Sequence, residues 1–502
     1  MITVRIGEKE CLYYGNLESY FEKFRRHIIG NNKLINTPYG KKKLIYSDWT
    51  ASGRLYRPIE KTVSERFGPF MANTHTESNS TSSVMTLAYK EAQTIIKNHV
   101  QARKEDVIIT CGSGMTAAVN KFQRLLGLKL PERFKNQISM PEEERPVVFI
   151  THLEHHSNHT SWLETVADVE IVRPSKNGNV DLDHLKELLD CYKNRKLKIG
   201  SFSACSNVTG IMTPYHQLAR VMHEYGGICL VDFAASAPYT DICMHPENEQ
   251  EKLDAIFFSP HKFLGGPGTS GVLIFDSALY QNSVPDHPGG GTVIWTDPWG
   301  KHKYFDSIEL REDGGTPAIL QTIRIALCIK LKEQMGTDFI LKREKEILDI
   351  LMPGIQKIKG ITVLEKNAAE RLGIISFQAE NIHYNLIVKL LNDRFGYQVR
   401  GGCSCAGTYG HYLLKINKIA SKSIFQEIEK GDMSEKPGWV RVSVHPTMSN
   451  EEVYGFLQSM KRIMENIDEW KKDYRYDKET NDFQFIGEAR NKTYKMFQLD
   501  NP

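Results

Sequence analysis

Three features of this sequence have the residue types and spacing for chemistry, and each directly follows an apolar run. Lys262 closes Phe257-Phe258-Ser259-Pro260-His261-Lys262, and a glycine-rich loop and a further apolar run, Gly271–Phe275, come after it. A surface loop lysine is the plain alternative. The apolar run instead sets Lys262 at the edge of a buried sheet. Loss of water there lowers an amine's pKa and makes it nucleophilic toward carbonyls. That is how a Schiff base to an aldehyde cofactor is held. Asp232 closes Cys229-Leu230-Val231-Asp232, and a carboxylate at the end of a buried strand is costly without a partner. It can cap a helix, or it can pair with a pyridinium nitrogen and keep the ring an electron sink. Its position ahead of Lys262 favours the second role. The third feature is Thr110-Cys111-Gly112-Ser113-Gly114-Met115-Thr116, between a strand and a helix. Gly-Ser-Gly can be only a tight turn, but its backbone N–H groups and the helix N-terminus suit an anion. This turn would hold the phosphate of such a cofactor, and Ser259 and His261 could add donors to it.

These residues need a scaffold that gathers strand ends. Apolar runs at 107–110, 146–150, 169–172, 198–203, 228–232, 255–259 and 271–275 alternate with helical stretches such as 183–192 and 215–225. This pattern predicts an α/β fold with a mostly parallel seven-stranded sheet buried on both faces. Ligands in such folds bind at the carboxyl ends of the strands. We expect an N-terminal arm or helix pair over 1–45, a large domain over 46–330, a smaller α+β domain over 331–470 and a tail over 471–502. Residues 413–437 show no clear pattern and are expected to form an exposed, mobile insertion.

With 502 residues, more than one core is expected. The composition is globular, at 40% hydrophobic and 25% charged, and 64 basic against 61 acidic residues leave a net charge of +3. Nothing in that balance points to nucleic acid or an anionic membrane. The Lys41-Lys42-Lys43 run reads as a solvated edge. No apolar stretch approaches the ~18 residues of a membrane span, and the N-terminus does not read as a signal peptide. Nine scattered cysteines fit reduced thiols in a cytoplasm.

The ordered motifs resemble those of the class V aminotransferase family of fold-type I, pyridoxal-5'-phosphate-dependent enzymes, and most closely its cysteine desulfurase and selenocysteine lyase branch. They run from Ser47-Asp48-Trp49-Thr50-Ala51-Ser52-Gly53 through Gly112-Ser113-Gly114, Leu153-Glu154-His155-His156-Ser157-Asn158, Ser206-Asn207-Val208-Thr209-Gly210, Val231-Asp232, Ser259-Pro260-His261-Lys262 and Gly314-Gly315-Thr316-Pro317 to Gly402-Cys403-Ser404-Cys405-Ala406. The resemblance implies that Lys262 carries pyridoxal phosphate and that Asp232, Asn207, Ser113, Gly114, Met115, Ser259 and His261 hold it. It gives His155 the ring that stacks on the cofactor and helps move protons, and leaves His156 structural. It gives Arg441 the substrate α-carboxylate, which a guanidinium binds through two parallel hydrogen bonds. Asn207, Ala51 and His75 would also face the amino-acid substrate. Thr316 would reach the phosphate of a partner subunit, which implies a homodimer. Ala235 departs from the pattern, because the desulfurase branch usually has glutamine there.

Gln398-Val399-Arg400-Gly401-Gly402-Cys403-Ser404-Cys405-Ala406-Gly407 lies where the resembled enzymes keep a sulfur-accepting cysteine, and Cys405 fits that place. Its thiolate on a flexible loop would take the sulfur of L-cysteine and release alanine. A sulfur-acceptor protein would then be a partner. Cys403 could resolve the persulfide or form a regulatory disulfide. The plain alternative is that both cysteines are small loop residues. A metal site is not expected, because no second Cys/His pair has zinc spacing nearby. Two other functions remain open. One is an aminotransferase or lyase that uses Lys262 without Cys405, and the other is a non-enzymatic binding protein on the same fold.

Overall fold

A computed structural model describes residues 2–6, 9–13, 16–74, 78–135, 137–368 and 370–487. Seven strands form its main sheet: β1 (Val107–Cys111), β2 (Val147–Thr151), β3 (Asp168–Val172), β4 (Lys198–Ser203), β5 (Ile228–Asp232), β6 (Ala255–Phe258) and β7 (Gly271–Phe275). Their order is β1-β7-β6-β5-β4-β2-β3, and β7 runs antiparallel to both neighbours while the other pairings are parallel. This is the expected architecture. Successive residues point to opposite faces of a strand, so each strand feeds two cores. Ile108, Phe149, Phe202, Val231, Phe258 and Ile274 enter one. Ile109, Val148, Ile150, Leu230, Phe257 and Leu273 enter the other. Burial on both faces is why these strands are near-continuous apolar runs.

The carboxyl ends of β1, β2, β4, β5 and β6 share one edge of the sheet; Asp232 ends β5 there, and the turns after the other four bear Gly112–Gly114, His155, Asn207 and Lys262. A second, antiparallel sheet has strands β8 (Ile361–Val363), β9 (Ile374–Ala379), β10 (Arg400–Gly402) and β11 (Trp439–Ser443), in the order β8-β9-β11-β10. Helices Thr337–Gln356 and Asn450–Trp470 accompany it. Residues 45–53 thread between the two sheets. Ser443 N–H donates to Ser47 O at 2.8 Å, and Gly53 N–H donates to His261 O at 2.8 Å. A Cβ at Gly53 would lie 1.8 Å from Phe263 O, so only glycine permits this approach.

The structure gives three of the flanking segments definite form. Among the described residues of the first forty-odd are one helix, Leu17–Arg25, and two antiparallel strand pairs, Ile2–Ile6 with Lys9–Tyr13 and Leu34–Thr37 with Gly40–Lys43, an arm without a second helix. Ile2, Val4 and Ile6 alternate with polar residues, which is a strand period. The 413–437 stretch carries a helix, Lys418–Glu429, whose N-cap Asn417 accepts from Ala420 N–H. No residue of that helix is buried. The tail begins with a hairpin, Tyr474–Asp477 with Asp482–Phe485, pinned where Tyr474 Oη donates to Asp393 at 3.0 Å. Among the described residues no helix is long and apolar enough to cross a membrane.

Candidate active site

At the shared strand edge lies a cavity of about 190 Å³ lined by Lys262, Asp232, His155, Asn207, Arg441, Cys405, Ala51, Met115, Ser259, His261 and Ala235, among others. It therefore gathers residues from both sheets and from the connecting 45–53 segment.

Lys262 sits in the short turn Pro260–Lys262 after β6. Burial pushes its amine down to about 8, while Asp232 pulls the other way. The same burial pushes Asp232 up to about 7, opposed first by the Ala234 N–H, which donates to Asp232 Oδ1 at 2.8 Å. The amine is thus partly neutral, and so nucleophilic, near physiological pH. His155 is held down to about 3, by burial first and then by the charge of Lys262, and its ring is neutral.

Behind His155 stands Glu154, a residue the sequence reading quoted in its motif without giving it a role. It is 2% exposed. One carboxylate oxygen accepts from Thr151 Oγ1 at 2.6 Å and Ser203 N–H at 2.9 Å, and the other from Ser203 Oγ at 2.6 Å and Asn158 Nδ2 at 2.7 Å. This network ties the turn after β2 to the end of β4 and fixes the backbone that presents His155.

The first turn of helix Met115–Leu125 points at the cavity. Met115 N–H donates to Ser259 Oγ at 2.9 Å, and His261 Nδ1 lies 3.0 Å from Ser113 O. A Cβ at Gly114 would stand 3.0 Å from His261 Cε1 and 3.1 Å from Ser259 Oγ, so glycine keeps this end open. Ser113 itself lines a neighbouring hollow of about 970 Å³, as does Thr316, and His261 forms a wall common to both spaces. Thr316 is exposed and accepts from Asn73 Nδ2 at 3.4 Å; it does not line the Lys262 cavity of its own chain. His75 lies outside the described residues.

Arg441, in β11, is 3% exposed. It donates to Asn207 O at 2.9 Å and forms an ion pair with Asp48 at 2.6 Å. Asp48, the other role missed in the sequence, also meets Arg400 at 3.1 Å. A buried guanidinium demands a counter-charge, which was the available signal. Asn207 Nδ2 donates to Ser404 O at 2.7 Å, and its Oδ1 is buried with no hydrogen-bond partner among the described residues.

Cys405 is exposed and Cys403 half-buried. The loop that carries them is tied to the fold at several points. Ser404 and Cys405 both hold left-handed backbone, φ 52° and 57°, which costs roughly 1 kcal/mol or more for each such non-glycine residue. Tethers hold them there. Ser404 O accepts from Asn207, Ser404 Oγ accepts from Trp439 Nε1 at 3.2 Å, and Cys405 O accepts from His156 N–H at 2.7 Å.

Together these groups place a buried amine, a carboxyl group, a helix N-terminus, a buried guanidinium and a thiol around one cavity. The class V aminotransferase family model matches residues 45–456, and the chain belongs to that family. It is similar to a protein of Staphylococcus epidermidis described as a probable cysteine desulfurase, 27% identical over 415 residues that cover 81% of this chain and 94% of that one. A probable cysteine desulfurase of Staphylococcus aureus is 25% identical over 413 residues, with the same coverage. Among solved structures, an apo cysteine desulfurase from Thermococcus onnurineus NA1 superposes with a TM-score of 0.70 at 24% identity, covering 89% of this chain and 98% of that one. The cysteine desulfurase CsdA of Escherichia coli gives 0.69 at 18% identity, covering 90% and 99%. The fold is the fold-type I architecture of pyridoxal-phosphate enzymes.

Proposed function

We propose that this enzyme depends on pyridoxal 5'-phosphate and converts L-cysteine to L-alanine, leaving the sulfur as a persulfide on Cys405. The observation that carries this reading is that Lys262, Arg441 and Cys405 line one cavity. The donor set fits the cofactor: an amine for its aldehyde, a carboxylate for its ring nitrogen, and the Met115 helix end with Ser259 and His261 for its phosphate. When bound, the cofactor supplies a cationic ring that stabilises negative charge at the substrate's α-carbon.

The chain's own residues do the rest. Asp232 keeps the ring nitrogen protonated. Arg441 grips the substrate carboxylate, aided by Asn207, and the Asp48 pair keeps its guanidinium aligned. Lys262, once displaced by the substrate, is the base that moves the α-proton, and His155 is a neutral partner for proton transfer. The Cys405 thiolate attacks the substrate sulfur. A sulfur–sulfur bond forms, the carbon–sulfur bond breaks, and the released carbon takes a proton, so cysteine and one thiol give alanine and one persulfide. Cys405 is exposed, which suits delivery of that sulfur to an acceptor protein. Exposed Thr316 suits a homodimer in which each chain completes its partner's phosphate site. The free cysteines among the described residues suit a cytoplasmic enzyme.

A second reading, an aminotransferase or lyase that does not use Cys405, draws on Ala235, which lines the cavity where the resemblance expects glutamine. The test is to incubate the cofactor-loaded protein with L-cysteine and assay alanine and sulfide beside Cys405→Ala and Lys262→Ala. Alanine that requires both residues is expected. A cofactor spectrum that responds to another amino acid, with no alanine from cysteine, would favour the second reading.

A further inference from the structure

We infer that His156 is a positioning residue for Cys405, setting the thiol's place at the mouth of the cavity. This inference rests on the desulfurase reading above and gives a role to a residue that the resemblance leaves structural.

His156 brackets Cys405 from both sides. Its backbone N–H donates to Cys405 O at 2.7 Å, and its ring Nε2 accepts from Gly407 N–H at 2.9 Å. A backbone N–H can only donate, so Nε2 carries no proton. Burial, helped by Lys436, holds the imidazole below its ordinary pKa and so in that neutral form. Space around the contact is tight, since a Cβ at Gly407 would lie 3.1 Å from His156 Nε2. A neighbouring tie joins Thr408 Oγ1 and His159 Nδ1 at 3.1 Å.

The anchor matters because of what precedes it. Strand β10 ends at Gly402, and just beyond it Ser404 and Cys405 sit in left-handed backbone that a free loop would leave. A thiol attacking a substrate sulfur must be held within a narrow range of distance and angle. His155 lines the cavity, and His156, the next residue, grips the sulfur acceptor's loop. One dipeptide, buttressed by Glu154, therefore ties the cofactor side of the reaction to the thiol side.

The test compares His156→Leu, which fills similar space without an acceptor, with His156→Gln, whose carbonyl can still accept from Gly407. Three quantities are measured on the cofactor-loaded protein: hydrogen–deuterium exchange of the 403–409 segment, persulfide on Cys405 after a single turnover with L-cysteine, and exchange of the α-hydrogen of L-alanine in D₂O. The last requires Lys262 but no thiol. In His156→Leu we expect loop exchange to rise about tenfold and persulfide formation to fall about tenfold, with α-hydrogen exchange changed less than about twofold. In His156→Gln both loop exchange and persulfide formation return most of the way to wild type. Unchanged loop protection in His156→Leu overturns the inference, as does persulfide at the wild-type rate or a parallel loss of α-hydrogen exchange. Wild-type protein that makes no alanine overturns the desulfurase reading instead, and loop exchange still reads the anchor on its own.

Discussion

Asp48 and Arg441 lie 393 residues apart in the chain, and in the fold they form a 2.6 Å ion pair whose guanidinium is 3% exposed. The pair joins the segment that threads between the sheets to strand β11. Removing one partner of a buried pair leaves an uncompensated charge, which costs about 3–5 kcal/mol. Asp48→Ala is therefore expected to lower the urea midpoint markedly. Asp48→Asn keeps an oxygen acceptor and loses less stability, but its less constrained arginine raises KM for L-cysteine more than it lowers kcat. An unchanged midpoint in Asp48→Ala would show that the pair carries no structural load.

Glu154 supports a second prediction. Both of its oxygens accept only from donors, and burial, the largest influence, holds its carboxyl above the ordinary range. Glu154→Gln turns an NH₂ toward one set of those donors, and an unsatisfied buried group costs about 1–3 kcal/mol. Lower thermal stability is expected, together with weaker retention of pyridoxal phosphate on dialysis, because the turn that presents His155 loosens. A variant that melts with wild type and keeps its cofactor would refute the supporting role.

The two loop cysteines should separate cleanly. Cys405 lines the cavity, whereas Cys403 does not and packs half-buried against the core. Cys403→Ser is expected to form alanine from L-cysteine within about twofold of wild type, since it changes one atom away from the reacting groups. Loss of alanine formation in Cys403→Ser, with Cys405 intact, would move the sulfur-accepting role to Cys403 or to both thiols.

How much of this was legible in the sequence follows from the range of the interactions. The seven strands could be read because a strand buried on both faces must be apolar throughout, as Phe257-Phe258 and Leu230-Val231 are. Lys262 and Asp232 stood out because each breaks such a run at its end. The Asp48–Arg441 and His156–Cys405 contacts could not be read, since no local pattern records a pairing between distant segments. The Lys418–Glu429 helix carries an apolar stripe, Ala420, Ile424, Phe425 and Ile428, and a cap signal in Asn417, but both are short and set among Lys, Ser, Glu and Gly residues that read as a loop. The left-handed Ser404 and Cys405 were hidden as well, because neither is a residue type that prefers that conformation.

The opposed shifts of Lys262 and Asp232 give a pH dependence whose sign can be fixed. Lys262 falls from 10.5 to about 8 in the folded protein. Between those values the unfolded chain binds a proton that the folded protein lacks, so stability rises with pH across that window. Below about 8 the full penalty is present, on the order of 3 kcal/mol. Asp232 rises from 3.8 to about 7, so its burial lowers stability as pH climbs through that lower window and then holds constant. In cofactor-free protein, Lys262→Met removes the lysine penalty while roughly keeping the volume. It should therefore unfold at higher urea than wild type at pH 7, and the gain should shrink toward nothing as pH nears 10.5. The same shift predicts that the rate at which apo-protein captures pyridoxal phosphate rises with pH up to about 8 and then levels off, as the amine loses its proton. A Lys262→Met variant less stable than wild type at pH 7, or a capture rate still climbing steeply above pH 9, would mean that the amine is not desolvated as the cavity geometry requires.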